Sequence, residues 1–157
     1  MTNSLKQGDR APAFDLPTNG DGRARLKDYA GQSLILYFYP KDDTSGCTKQ
    51  AIAFTEYKDK LNAAGIQVLG VSKDSLRSHD KFVEKHKLGI ALASDESLEI
   101  CQAYGVWVEK KMYGRTYMGV ERSTFLIGPD GKIKNIWRKV RVAKHMEELL
   151  DTLHLTS

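Results

Sequence analysis

The chain has 157 residues, of which 41% are hydrophobic and 28% charged, and its net charge is +4. These proportions exclude a disordered polymer, and the length suffices for a core that needs neither disulfides nor metal. The two cysteines, Cys47 and Cys101, are too few for a disulfide framework and fit no zinc spacing; the four histidines show no ligand pattern, so no cofactor or metal is expected.

In chain order, the first residues, MTNSLKQGDRAPAF, lack the apolar stretch of a signal peptide, which predicts a cytoplasmic protein. Turn clusters at 18–22, 42–46 and 128–131 interrupt the chain, and none reads as a linker, so one domain over 1–157 is expected. Leu34–Tyr39 is a dense β-forming run stopped by Pro40; its apolar core is too short to cross a membrane. Ala51, Phe54, Tyr57 or Lys58, Leu61 and Ala64 recur at helical spacing, with Gly65 placed to end that helix. Ile66–Val71 reads as a second strand. Asp74 or Ser75 then caps a helix with Leu76, His79, Phe82 or Val83, and His86 along one side. Ile90–Ala93 predicts a short strand, and Ser94 is a candidate cap for a helix reaching Tyr104. Strands near Ser123–Ile127 and Lys132–Trp137 flank a tight turn, and a helix over Ala143–Leu153 closes the chain. This alternation predicts an α/β fold with a central mixed sheet flanked by helices, and ligands gather beyond the carboxyl ends of such strands.

The positive charge is concentrated late, at Lys132, Lys134, Arg138, Lys139, Arg141 and Lys144. With no recognition motif beside it, this stretch reads as a solvated strand and helix start, and no nucleic-acid partner is expected.

Cys47 follows a strand, a proline and a polar turn, at the start of a predicted helix. Free N–H groups and the positive end of the helix dipole favour an anion there, so Cys47 reads as a reactive thiolate in preference to a small buried apolar residue. Thr44 is placed to bring its hydroxyl to the same side, and Pro40 and Gly46 to shape the turn. Dithiol exchange of the Cys-x-x-Cys kind is disfavoured, because Cys47 has no neighbouring cysteine. Arg122, from its position alone, reads as a solvated charge at a strand edge.

The string Tyr37-Phe38-Tyr39-Pro40-Lys41-Asp42-Asp43-Thr44-Ser45-Gly46-Cys47-Thr48 resembles the Pro-x-x-x-Thr-x-x-Cys signature of peroxiredoxins, most closely the bacterioferritin-comigratory, or Q-type, subgroup. Similar motifs continue at Ala11–Leu16, Leu69–Asp74, Tyr104–Trp107 and Arg122–Ile127. The resemblance implies a thioredoxin-like fold and reduction of hydrogen peroxide or organic hydroperoxides without metal or flavin. It makes Cys47 the peroxidatic cysteine and places Pro40, Thr44 and Arg122 around it, with Arg122 moved from the surface into the pocket. An ordinary thiol is about 3% ionised at pH 7, so full ionisation gains at most ~30-fold, partly lost to weaker nucleophilicity. Alignment and charge stabilisation supply ~10² or more, so the pocket is expected to matter more than thiol acidity.

The chain departs from that pattern at Ser45, where the subgroup carries proline. It also has Ile52 and Val83 at the two positions where relatives carry a resolving cysteine. Cys101 sits at a spacing that suits a buried helix face and reads as an inert core thiol. The expectation is a one-cysteine enzyme, monomeric or weakly dimeric, recycled by an external thiol such as thioredoxin, glutaredoxin or glutathione. The alternative is a redox sensor or holdase that uses Cys47 oxidation as a switch.

Overall fold

The computed structural model describes residues 5–155, so both ends of the expected 1–157 span lie outside the described residues. Seven strands form one mixed sheet: β1 (Asp15–Thr18), β2 (Gly22–Arg25), β3 (Ser33–Phe38), β4 (Ile66–Ser72), β5 (Ala91–Ser94), β8 (Ser123–Ile127) and β9 (Ile133–Trp137). Their order is β2-β1-β5-β4-β3-β8-β9. The central β5, β4 and β3 are parallel, and antiparallel strands extend the sheet on either side. A separate hairpin is made by β6 (Trp107–Met112) and β7 (Arg115–Val120). The helices are α1 (Ser45–Ala63), α2 (Leu76–His86), α3 (Glu99–Ala103) and α4 (Val142–Thr152). Among the described residues, none is long and apolar enough to cross a membrane.

Side chains alternate across a strand, so β3 feeds two cores. Leu34, Leu36 and Phe38 join Cys101, Tyr104 and Phe125 on the face covered by α3. Ile35, Tyr37 and Tyr39 join Cys47, Phe54, Phe82 and Leu149 on the face covered by α1, α2 and α4. Gly70 is needed on the second face: a Cβ there would lie 2.8 Å from both the Tyr37 ring and a Leu92 methyl.

The predicted boundaries of β3, β4, α1, α2, β8 and α4 agree with the structure to within a few residues, including the start of α1 at Ser45, just before Cys47. Ser75 caps α2 by accepting the Ser78 N–H at 3.1 Å, and Gly65 takes φ +78° just after α1. One expected cap is corrected. Ser94 ends β5, and α3 starts only at Glu99. The buried Asp95 carboxylate takes the capping role, accepting the N–H groups of Ile100 and Cys101 at 3.3 and 2.7 Å. Two hairpins were not expected. In β1–β2 the run is short and carries Pro17, tolerated because β1 meets β5 only at Thr18. In β6–β7 the run Glu109-Lys110-Lys111 hides any apolar alternation. Its turn, Tyr113-Gly114, has φ +53° and +75°, the two positive values of a two-residue hairpin turn usually written with asparagine or aspartate first.

Candidate active site

Beyond the carboxyl end of β3, the chain passes Tyr39 and the half-buried Pro40, loops through residues 41–43 and enters α1. Thr44 is the N-cap residue, with extended backbone (φ −96°, ψ 157°), and its carbonyl accepts the Thr48 N–H at 2.8 Å. Its hydroxyl donates to the Lys41 carbonyl at 2.9 Å and so tightens the loop. Cys47 is the third residue of the helix and is 1% exposed. The N–H groups of Ser45, Gly46 and Cys47 have no acceptor within the helix, which makes the surroundings of the sulfur electropositive.

Arg122 completes this arrangement from the connection between β7 and β8. Its Nη2 donates to Cys47 Sγ at 3.2 Å, while its Nη1 donates to Gln50 Oε1 at 2.6 Å. The Arg122 carbonyl accepts the Val140 N–H at 2.9 Å, tying the segment before α4 to the same point. Arg122 is half-buried, so the solvated-charge reading of its position does not hold. Gly46 belongs to the first turn of α1 and does not shape the preceding loop as expected. A Cβ there would stand 3.2 Å from Arg122 Nη2, so the missing side chain makes room for the guanidinium.

Gln50 escaped the sequence reading. The available signal was its spacing: one turn after Cys47, a polar residue falls on the face that the helix buries. Its amide nitrogen has no partner among the described residues. His145 was also missed as a neighbour of the site. Its Nε2 lies 2.8 Å from the Thr124 hydroxyl, and burial followed by the Arg122 charge pushes its pKa down to about 4. Tyr37, stacked on Phe54 with centroids 4.6 Å apart, keeps its phenol strongly protonated because it is fully buried and near Cys47.

The loop before Cys47 is fastened to α2 by its two aspartates. Buried Asp42 accepts from Tyr39 (2.6 Å) and Ser78 (2.7 Å) and pairs with His79 Nδ1 (2.7 Å). His79 Nε2 in turn faces the Ala93 carbonyl at 3.0 Å. Asp43, in the left-handed region at φ +59°, pairs with Lys85 and His86, and these two hydrogen bonds hold its carboxyl below the usual range. Neither aspartate stood out in the sequence, because both read as ordinary turn residues.

Cys101 is fully buried, and burial together with Asp95 pushes its thiol well above the ordinary range, which keeps it protonated. Among the described residues no group of three or more His, Cys, Asp or Glu side chains is arranged to hold a metal ion.

A cysteine at a helix start with an arginine on its sulfur, beyond the end of a central strand, defines a thiol-based redox site on an α/β scaffold. The chain belongs to the AhpC/TSA family, whose sequence model matches residues 7–136. It is 42% identical over 151 residues to peroxiredoxin Bcp of Escherichia coli K12, covering 96% of this chain and 97% of that protein. Identity to peroxiredoxin Bcp of Xanthomonas campestris is 43% over 145 residues, or 91% of each. The fold superimposes on a Xylella fastidiosa PrxQ mutant with a TM-score of 0.91 at 39% identity, covering 97% of both chains. It also superimposes on the Xanthomonas campestris bacterioferritin comigratory protein, a structure described for its alkyl peroxide reduction activity, with a TM-score of 0.85 at 41% identity over 91% and 92% of the two chains. The scaffold is thus the thioredoxin-like fold of peroxiredoxins, and the protein is a thiol-dependent peroxidase.

Proposed function

We propose that the 1–157 chain is a single-domain, one-cysteine peroxidase acting on hydrogen peroxide and organic hydroperoxides. The Cys47 thiolate attacks the terminal peroxide oxygen; the O–O bond breaks, and the departing alkoxide takes a proton and leaves as alcohol or water. Cys47 becomes a sulfenic acid. An external thiol then attacks its sulfur, expelling water and forming a mixed disulfide. A second thiol releases Cys47, so the two electrons come from two external thiols. Thioredoxin, glutaredoxin and glutathione all fit this chemistry, and each belongs to the reducing cytoplasm expected for the chain.

The observation that carries this reading is the 3.2 Å hydrogen bond from Arg122 to Cys47 Sγ at the start of α1. A guanidinium is a permanent cation, and Arg122 is placed to stabilise both the thiolate and the negative charge that grows on the peroxide oxygens. Thr44 fixes the loop and offers its hydroxyl oxygen beside the helix start, and the ring of Pro40 restricts the chain where it leaves β3. The one-cysteine part rests on the placement of Cys101 in the other core. Catalytic loss of peroxide with dithiothreitol tests the proposal. Many turnovers per Cys47, abolished by Cys47→Ser, are expected; a single equivalent consumed per chain would favour the sensor reading instead.

A further inference from the structure

An enzyme recycled from outside needs a surface where its reductant docks, and Cys47 is almost wholly covered. Two features converge beside it. The first is cationic. Lys139, Arg141 and Lys144 line a cavity of about 250 Å³ at the start of α4, next to the Val140–Arg122 hydrogen bond. All three are exposed, and none has a carboxylate partner among the described residues. Arg138, by contrast, is engaged with the Phe125 ring at 5.5 Å and the Gly105 carbonyl at 3.4 Å. Glu148 is the acidic residue in that cavity lining.

The second feature is apolar. Among the described residues, the exposed large hydrophobic ones, Met112, Tyr113, Tyr117 and Met118, all belong to the β6–β7 hairpin, and Tyr113 is 97% exposed. Tyr117 stands directly across from Lys110, and Met112 across from Arg115, so these four share one hairpin face. The hairpin adjoins the site at its base, where β7 ends at Val120 just before Arg122. Burial and the Arg122 charge hold the Lys110 amine below its ordinary range, while Glu121 and Cys47 draw it back. Glu109, one residue before Lys110, points to the opposite face.

From this juxtaposition we infer a docking surface for an acidic dithiol protein, formed by Lys139, Arg141 and Lys144 together with the Lys110–Tyr117 face of the hairpin. Unpaired cations beside a redox site select a partner whose exposed cysteine is ringed by carboxylates, and they speed its approach. Tyr117 and Met112 supply the apolar contact typical of protein interfaces, which a tripeptide thiol is too small to fill and a nucleic acid backbone does not need. The docked partner donates the thiol that expels water from the Cys47 sulfenic acid, and its second thiol resolves the mixed disulfide. The inference rests on the external-thiol reading above.

The test compares peroxide turnover driven by an acidic thioredoxin with turnover driven by dithiothreitol, in the unaltered protein, Lys139→Glu/Lys144→Glu and Tyr117→Ser. Charge reversal is expected to lower kcat/KM for thioredoxin about tenfold and to flatten its decline with added salt. Tyr117→Ser is expected to lower it several-fold. With dithiothreitol, both variants should stay within about twofold of the unaltered protein. Unchanged thioredoxin kinetics after charge reversal would overturn the docking surface. Equal losses with both reductants would also overturn it, by placing the defect in the peroxide step. Competition by duplex DNA at physiological salt would reassign the patch to nucleic acid. Absence of dithiothreitol turnover in the unaltered protein is a separate result, and it would defeat the peroxidase reading itself.

Discussion

Cys47 and Cys101 lie on opposite faces of one sheet. Cys47 belongs to the layer of Ile35, Tyr37 and Phe54, and Cys101 to the layer of Leu36, Tyr104 and Phe125. A disulfide requires Cα atoms within about 7 Å, so considerable local unfolding around the helices that carry them would have to precede a bond between the two sulfurs.

One equivalent of peroxide should therefore leave a trappable sulfenic acid on Cys47, and excess peroxide should carry it to sulfinic acid. Cys101→Ser should keep near-normal turnover with dithiothreitol. A non-reducing peptide map of the oxidised protein decides the matter, since an abundant Cys47–Cys101 linkage would refute the one-cysteine reading.

Arg122→Ala should slow the peroxide step by about a hundredfold, and the loss should persist at a pH where an ordinary thiol is ionised. Thr44→Val should show a smaller loss of the same kind. Gln50→Leu removes the acceptor that orients Arg122 and should cost several-fold with little change in fold. Stopped-flow measurement between pH 7 and 10 separates the effects; full recovery of Arg122→Ala at high pH would mean that thiol acidity dominates.

Gly46→Ala introduces a Cβ 3.2 Å from Arg122 Nη2, close enough to displace the guanidinium by a few tenths of an ångström. Peroxide turnover should fall about tenfold while stability stays within about 1 kcal/mol, because alanine favours the helix. Activity equal to that of the unaltered protein would show that the Arg122 position tolerates this shift.

His145 makes stability pH-dependent. Its pKa is depressed to about 4 in the folded protein, against about 6.5 in the unfolded chain. Between those values the unfolded state binds the extra proton, so stability falls as pH drops from 6.5 towards 4, by roughly 3 kcal/mol in full. Urea denaturation at pH 7 and 4.5 should show this loss, and His145→Gln should show markedly less of it. An identical pH dependence in the variant would assign the acid sensitivity to other groups.

Asp42→Ala leaves the Tyr39 and Ser78 hydroxyls and the His79 imidazole without their shared acceptor. A destabilisation of about 3–5 kcal/mol is expected, as for a broken buried pair. Chemical denaturation measures it directly, and a loss below about 1 kcal/mol would show that water replaces the carboxylate.

The sequence by itself determined the central strands, the helices between them and the place of Cys47 at a helix start. Those follow from local periodicity, from Pro40 and Gly65 as stops, and from the polar turn before the cysteine. Its motifs also named Pro40, Thr44 and Arg122. Only the tertiary structure decided what these residues touch. The partners meet across 72 and 75 residues of chain, as Arg122 does with Gln50 and Cys47, or across 37, as His79 does with Asp42. No local pattern records such pairings. The two hairpins escaped for the complementary reason: strands that are short, charged or exposed bury too little to leave an alternating signature. The separation of Cys47 from Cys101 likewise depends on which face of the sheet each helix covers, and the order of strands decides that.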